Sequence, residues 1–157
     1  HQAARMAAAT PAARASSTSG QAGLHVLLPL GATIDHDDAK ELAEVLARVV
    51  AIELPEIATV ARPIASRGDR VYVDFLQNGR GKLIAAPLSV RPRAGAPVSM
   101  PLTWSRITRR LDPARFTIRS APRELARHGD PLRPVLGRGF DLEALLEALG
   151  RRLRDAR

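Results

Sequence analysis

A chain of 157 residues, 45% of them hydrophobic, is long enough for one domain with a real core, but at 3% aromatics that core must come from Leu, Val, Ile and Ala. The absence of cysteine excludes disulfides and thiolate metal sites, and no apolar run approaches the roughly 20 residues that span a bilayer. The formal charge of +8, with only Lys40 and Lys82 as lysines among 24 cationic residues, suits a polyanionic partner and equally a nucleotide bias toward arginine codons.

The chain begins at His1, and residues 1–17, rich in Ala, Ser, Thr and Arg, read as a disordered or out-of-context leader before a domain over residues 18–157. Ser19-Gly20-Gln21-Ala22-Gly23 then forms a glycine turn into the apolar run Leu24 to Leu30, expected as a buried strand with Pro29 at its end. Backbone N–H groups of such a turn can cradle a phosphate, with Ser19 and His25 adding side-chain donors; an ordinary turn before a strand has the same pattern. Asp35 to Asp38 supply helix-start chemistry, and Leu42, Leu46, Val49 and Val50 give a helical stripe to about residue 53, with Pro55 just beyond. His36 stands beside Asp35, Asp37 and Asp38, but adjacent positions at a helix start do not converge on one ion, so these residues read as capping. Residues 56–69 close on a Ser66-Arg67-Gly68-Asp69 turn.

From Arg70 to Leu76 the period of two predicts a strand, with Val71, Val73 and Phe75 alternating against Tyr72, Asp74 and Leu76. Asp74 is thereby set among apolar neighbours, which is costly unless a cation, a metal or hydrogen-bond donors meet it. Arg70 or Arg80 could bridge it in a plain ion pair. A turn at residues 77–81 and a second strand over residues 82–90 predict a hairpin. Arg91 and Arg93, two apart in an extended segment, place their guanidiniums to one side near Arg80, which suits a triphosphate or a DNA backbone as well as a solvated basic rim. Residues 91–101 hold three prolines and read as a loop, followed by a short helix capped by Thr103 and an extended stretch over residues 116–119. Pro122 opens a short helix through His128. Residues 129–139 form a loop, and Asp141 caps an amphipathic helix over residues 141–155 with Leu142, Leu145, Leu146, Leu149 and Leu153 on one face.

In order and spacing, several of these segments resemble the primase-polymerase domain of bacterial DNA ligase D, in the archaeo-eukaryotic primase superfamily. They are Thr18-Ser19-Gly20 through Leu24-His25-Val26, Arg70 through Gly81, Ala86 through Arg91, Arg93 through Ser99, Pro101-Leu102-Thr103-Trp104 and Phe116-Thr117-Ile118-Arg119. The resemblance implies an α+β fold, a partial primase-polymerase fold with a mainly antiparallel sheet flanked by helices. It implies a nucleotidyltransferase attached to an ATP-dependent DNA ligase. Such an enzyme adds nucleotides to DNA ends in non-homologous end joining by two-metal transfer. Its partners would be DNA ends, a nucleoside triphosphate, a fused or separate ligase domain and an end-binding protein, in the cytoplasm and away from membranes. By the same resemblance Asp74 is the third carboxylate of a manganese or magnesium pair, Ser19 and His25 contact nucleotide phosphates, and Arg91 clamps the triphosphate. Asn78 and Arg80 brace the turn or touch DNA, and Arg93 joins them in DNA binding.

Two departures qualify this expectation. The family motif continues with glycine and lysine where this chain has Gln21 and Ala22. Its Asp-x-Asp metal motif lies on an upstream strand, and residues 1–17 contain no Asp or Glu. The chain is therefore expected to be the C-terminal half of such a domain, inactive in isolation; the alternative is a non-catalytic module that binds DNA ends or nucleotides.

Overall fold

The computed structural model of the protein describes residues 15–155 apart from Ala22 and Arg138. In chain order its strands and α-helices are β1 (Ala15–Thr18), β2 (Leu24–Leu27), α1 (His36–Glu53), β3 (Ala58–Thr59), β4 (Val71–Tyr72), β5 (Pro101–Leu102), α2 (Ala121–His128) and α3 (Leu142–Asp155). Short 3-10 turns interrupt the loops between them. Residues 32–83 and 141–155 make one compact unit, and residues 15–31 and 84–140 make a second.

In the first unit, α1 starts where Asp35 Oδ1 accepts from the N–H groups of Asp37 (2.8 Å) and Asp38 (3.0 Å). Those bonds satisfy two donors that have no partner inside the helix. The helix stops before Pro55, whose ring disfavours a helical residue ahead of it. It buries Leu42, Ala47 and Val49. Asp141 Oδ1 caps α3 by accepting from Ala144 N–H at 3.0 Å. α3 packs on α1, buries Leu145 and Leu149, and sets Arg152 Nη1 3.2 Å from both carboxylate oxygens of Glu53. β3 and β4 pair in parallel, Ala58 opposite Val71 and Thr59 opposite Tyr72.

The second unit is built on an antiparallel sheet ordered β2-β1-β5. Its middle strand is Ala15-Ser16-Ser17-Thr18, fully buried, so the part of the expected leader that is described is the centre of a sheet. The rest of that leader, residues 1–14, lies outside the described residues. Small hydroxyl residues can fill this place because three of the hydroxyls nearby are bonded to backbone. Ser16 Oγ donates to Leu102 O (2.8 Å), Thr18 Oγ1 donates to Val98 O (3.1 Å) and accepts from Met100 N (2.8 Å), and Ser99 Oγ donates to Thr18 O (2.7 Å). The core beside this sheet is Val98, Met100, Leu102, Phe116 and Ala121, with Leu111 and Leu125 against it. Each large member contributes about 1.5–3 kcal/mol by leaving water. An ion pair of Arg106 with Glu124 ties the turn after β5 to α2, and the same guanidinium lies 5.7 Å from the Phe116 ring centre.

α2 and α3 form over the expected residues, and a mixed architecture with an antiparallel sheet and three α-helices matches the expected fold class. Four local expectations fail, among them the extended stretch over residues 116–119, because residues 118–120 form a turn closed by Ser120 N–H on Thr117 O at 3.1 Å. Residues 24–27 are an edge strand with Leu24 and Val26 exposed, not a buried one. The strand through Asp74 ends at Tyr72 and pairs with β3, so no hairpin with residues 82–90 exists, and Leu83 is 91% exposed. Residues 90 and 98 instead form a single antiparallel bridge. Thr103 stands at the start of its 3-10 turn but makes no backbone cap, its Oγ1 lying 3.0 Å from Ser105 Oγ.

Candidate functional site

The second unit gathers four of the residues singled out above around the turn between β1 and β2. Gly20 takes the left-handed conformation (φ +70°), and Ser19 N–H closes the turn on Gly23 O at 2.9 Å. Ser19 Oγ accepts from the N–H groups of Gln21 (3.2 Å) and Gly23 (3.1 Å). Two of the turn's backbone donors, those of Gln21 and Gly23, are therefore engaged by Ser19 itself. The Ser19 hydroxyl hydrogen is left to donate outward, because a hydroxyl oxygen can accept twice and still give its proton.

Arg91 reaches this turn from a distant part of the sequence. A Cβ at Gly20 would stand 2.4 Å from Arg91 Cγ, so only glycine allows the arginine shaft to cross here. The crossing is fixed by Arg91 N–H donating to Pro97 O (2.8 Å) and Ser99 N–H to Ser89 O (3.0 Å). Arg91 Nε is buried without a hydrogen-bond partner, an arrangement that costs about 1–3 kcal/mol until a partner arrives. His25, opposite Ser17 in the sheet register, is half-buried. Burial, and after it the positive charge of Arg91, hold its pKa below the ordinary 6.5. With its carboxamide oxygen turned to Arg93, Gln21 accepts from Nε (3.1 Å) and Nη2 (3.2 Å) of that guanidinium. In the sequence Gln21 stands out only as a departure from the family motif, since a glutamine in a glycine turn carries no further signal until the loop that meets it is known.

Asp74, Asn78 and Arg80 belong to the first unit. Asp74 is exposed, and its Oδ1 accepts from Leu76 N–H at 3.0 Å. That bond turns the chain into the 3-10 segment Leu76–Asn78, which is why the strand does not continue. Neither expected cation bridges Asp74. Arg70 donates to the carbonyls of Arg67 (2.9 Å) and Ser66 (2.8 Å), and Arg80 pairs with Asp37 at 3.5 Å. Asn78 Nδ2 braces the turn by donating to Phe75 O at 2.9 Å. Asp35, His36, Asn78, Gly79 and Lys82 line a shallow cleft of about 360 Å³ over this turn. β2, which bears His25, pairs with β1, whereas β4, which ends two residues before Asp74, pairs with β3, so these two strands do not pair with each other. Among the described residues no group of three or more His, Cys, Asp or Glu side chains could hold a metal ion, and residues 1–14 add no Asp or Glu. The residues present do not fit a two-ion centre.

A family model for the LigD primase-polymerase domain matches residues 4–132. The chain belongs to the LigD primase-polymerase family. The match runs through most of the segment expected as a leader. The multifunctional non-homologous end joining protein LigD of Pseudomonas aeruginosa is 32% identical over 108 residues, covering 69% of this chain and 13% of that protein. The bifunctional non-homologous end joining protein LigD of Bacillus subtilis is 30% identical over 114 residues, covering 72% and 19%. The polymerase domain of Mycobacterium tuberculosis ligase D, solved in complex with DNA, superposes with a TM-score of 0.76 at 29% identity, over 88% of this chain and 48% of that one. This LigD-family chain thus spans less than a fifth of these two curated relatives and about half of the solved polymerase domain.

Proposed function

We propose that this chain is the nucleotide-phosphate and DNA-binding part of a LigD-type repair polymerase, which adds nucleotides to DNA ends in non-homologous end joining. The observation that carries the reading is Arg91 laid across Gly20 with an unpartnered, buried Nε. An arginine held rigidly at a tight turn, with a serine hydroxyl and a neutral histidine beside it, is suited to a triphosphate. In this reading Ser19 donates its hydroxyl proton to a phosphate oxygen, His25 hydrogen-bonds a second, and Arg91 neutralises the chain. The carboxylate of Asp74 would be one ligand toward a divalent ion, and Asn78 and Arg80 would face DNA.

Because Asp74 belongs to no group of three or more His, Cys, Asp or Glu side chains that could hold a metal ion among the described residues, this chain on its own is not expected to extend a primer. The same observation favours a second reading, a module that binds nucleotides or DNA ends without chemistry. One experiment addresses both. Binding of a primed duplex end and of a nucleoside triphosphate is measured across a salt series, with primer extension assayed in manganese. Expected are triphosphate binding, DNA affinity falling linearly on a log–log salt plot at about 0.9 per phosphate contacted, and no extension. Extension by this chain would overturn the claim of an incomplete metal centre. Failure to bind either ligand would overturn the proposed function.

A further inference from the structure

We propose that Arg93 is a second phosphate-gripping cation of the nucleotide site, positioned by Gln21, and not a DNA contact. The inference rests on the reading of the Ser19–Gly23 turn as a phosphate site and adds a residue to it. Arg93 is tied to that turn through the Gln21 carboxamide, at 3.1 Å to Nε and 3.2 Å to Nη2. Its backbone is fixed as firmly: Arg93 N–H donates to Arg91 O (2.8 Å) and Ala96 N–H to Arg93 O (2.8 Å), in a loop pinned at Gly95 with φ +81°. Two guanidiniums two residues apart thus meet one five-residue turn, Arg91 at Gly20 and Arg93 at Gln21. Neither pairs with a carboxylate among the described residues.

The choice of glutamine matters chemically. Its oxygen engages the Nε–H and one Nη2–H of the fork without cancelling the charge, leaving three N–H groups for phosphate oxygens. A flexible exposed arginine would lose rotamer freedom on meeting a ligand; one already held gives up less for each bond formed.

The test compares the unaltered chain with Arg91→Ala, Arg93→Ala and Gln21→Glu, reading tripolyphosphate and ATP binding by calorimetry and duplex-end binding by anisotropy. Both positions 21 and 93 are exposed, so the variants should fold, which circular dichroism checks. Arg93→Ala should weaken both polyphosphate ligands by about tenfold. Gln21→Glu should weaken them as well, since it keeps the clamp but neutralises Arg93, and neither change should alter duplex-end affinity. If Arg91→Ala weakens polyphosphate binding while Arg93→Ala and Gln21→Glu do not, the proposal falls and the phosphate site stands. If Arg93→Ala weakens duplex binding alone, Arg93 is a DNA contact and the proposal falls. If the unaltered chain binds neither polyphosphate, the phosphate site and the proposal fall together.

Discussion

His25 carries a pH signature that follows from its two neighbours. Burial first, and the Arg91 charge second, disfavour the imidazolium, so the folded pKa lies below 6.5. Between the folded value and 6.5 the unfolded chain holds a proton at this position that the folded chain does not. Stability therefore rises with pH through that window and is lost as pH falls through it. Denaturant midpoints measured on either side of 6.5 should show this slope, and His25→Asn should flatten it. Asp74 gives a different signature. Its role in the fold is one acceptor for Leu76 N–H, so Asp74→Ala should cost about 0.5–1.5 kcal/mol in chemical denaturation. Asp74→Asn keeps an oxygen at that place and should leave both stability and duplex affinity intact. A large loss of stability in Asp74→Asn would mean that the carboxylate charge itself holds the turn.

At the scale of elements, the sheet of the second unit is held by hydroxyl bonds to backbone as well as by apolar contact. Thr18→Val keeps shape but strips Met100 N–H of an acceptor and Val98 O of a donor, in a setting with 0% exposure at Thr18. The expected cost is about 1–3 kcal/mol, read as a lower denaturant midpoint with unchanged slope. These hydroxyls also explain what was legible in the sequence. The three helices could be read because each announces itself locally: Asp35 and Asp141 as caps, Pro122 in a first turn, and leucines at helical spacing. β1 could not, since Ala-Ser-Ser-Thr has no apolar period, and the hydroxyls of Ser16 and Thr18 are bonded within the protein by residues 80 or more positions away. The Asp74 strand was over-read for the converse reason. Its alternation persists to Leu76, but the Asp74 side chain takes the next available N–H and ends the ladder. The site followed the same rule. Ser19, His25 and Arg91 were visible through motif spacing, whereas the packing of Arg91 on Gly20 and the Gln21–Arg93 clamp exist only in three dimensions.

For the molecule as a whole, connectivity is the governing fact. Among the described residues the chain passes between the two units three times, near residues 31, 83 and 140, so neither unit is one continuous stretch. α3 belongs to the first unit, where Arg152 meets Glu53, yet it lies beyond residue 132, where the family match ends. Removal of residues 141–157 should therefore destabilise α1, far earlier in the sequence, while hydrogen exchange in β1, β2 and β5 is less affected. Uniform loss of protection across both units would show that they unfold as one. The close approach of Gly139 to Gly31 gives the same connectivity a mechanical side. A methyl group on Gly139 would stand 2.5 Å from Gly31 N and Leu30 C, and Phe140 N–H donates to Pro29 O at 2.9 Å. Two strands of the chain's own path are thus cinched together one residue before the polypeptide departs for α3. Inserted loops or fusion partners placed there would pry open that knot, whereas the exposed stretch around Leu83 offers a crossing where added length has little packing to disturb.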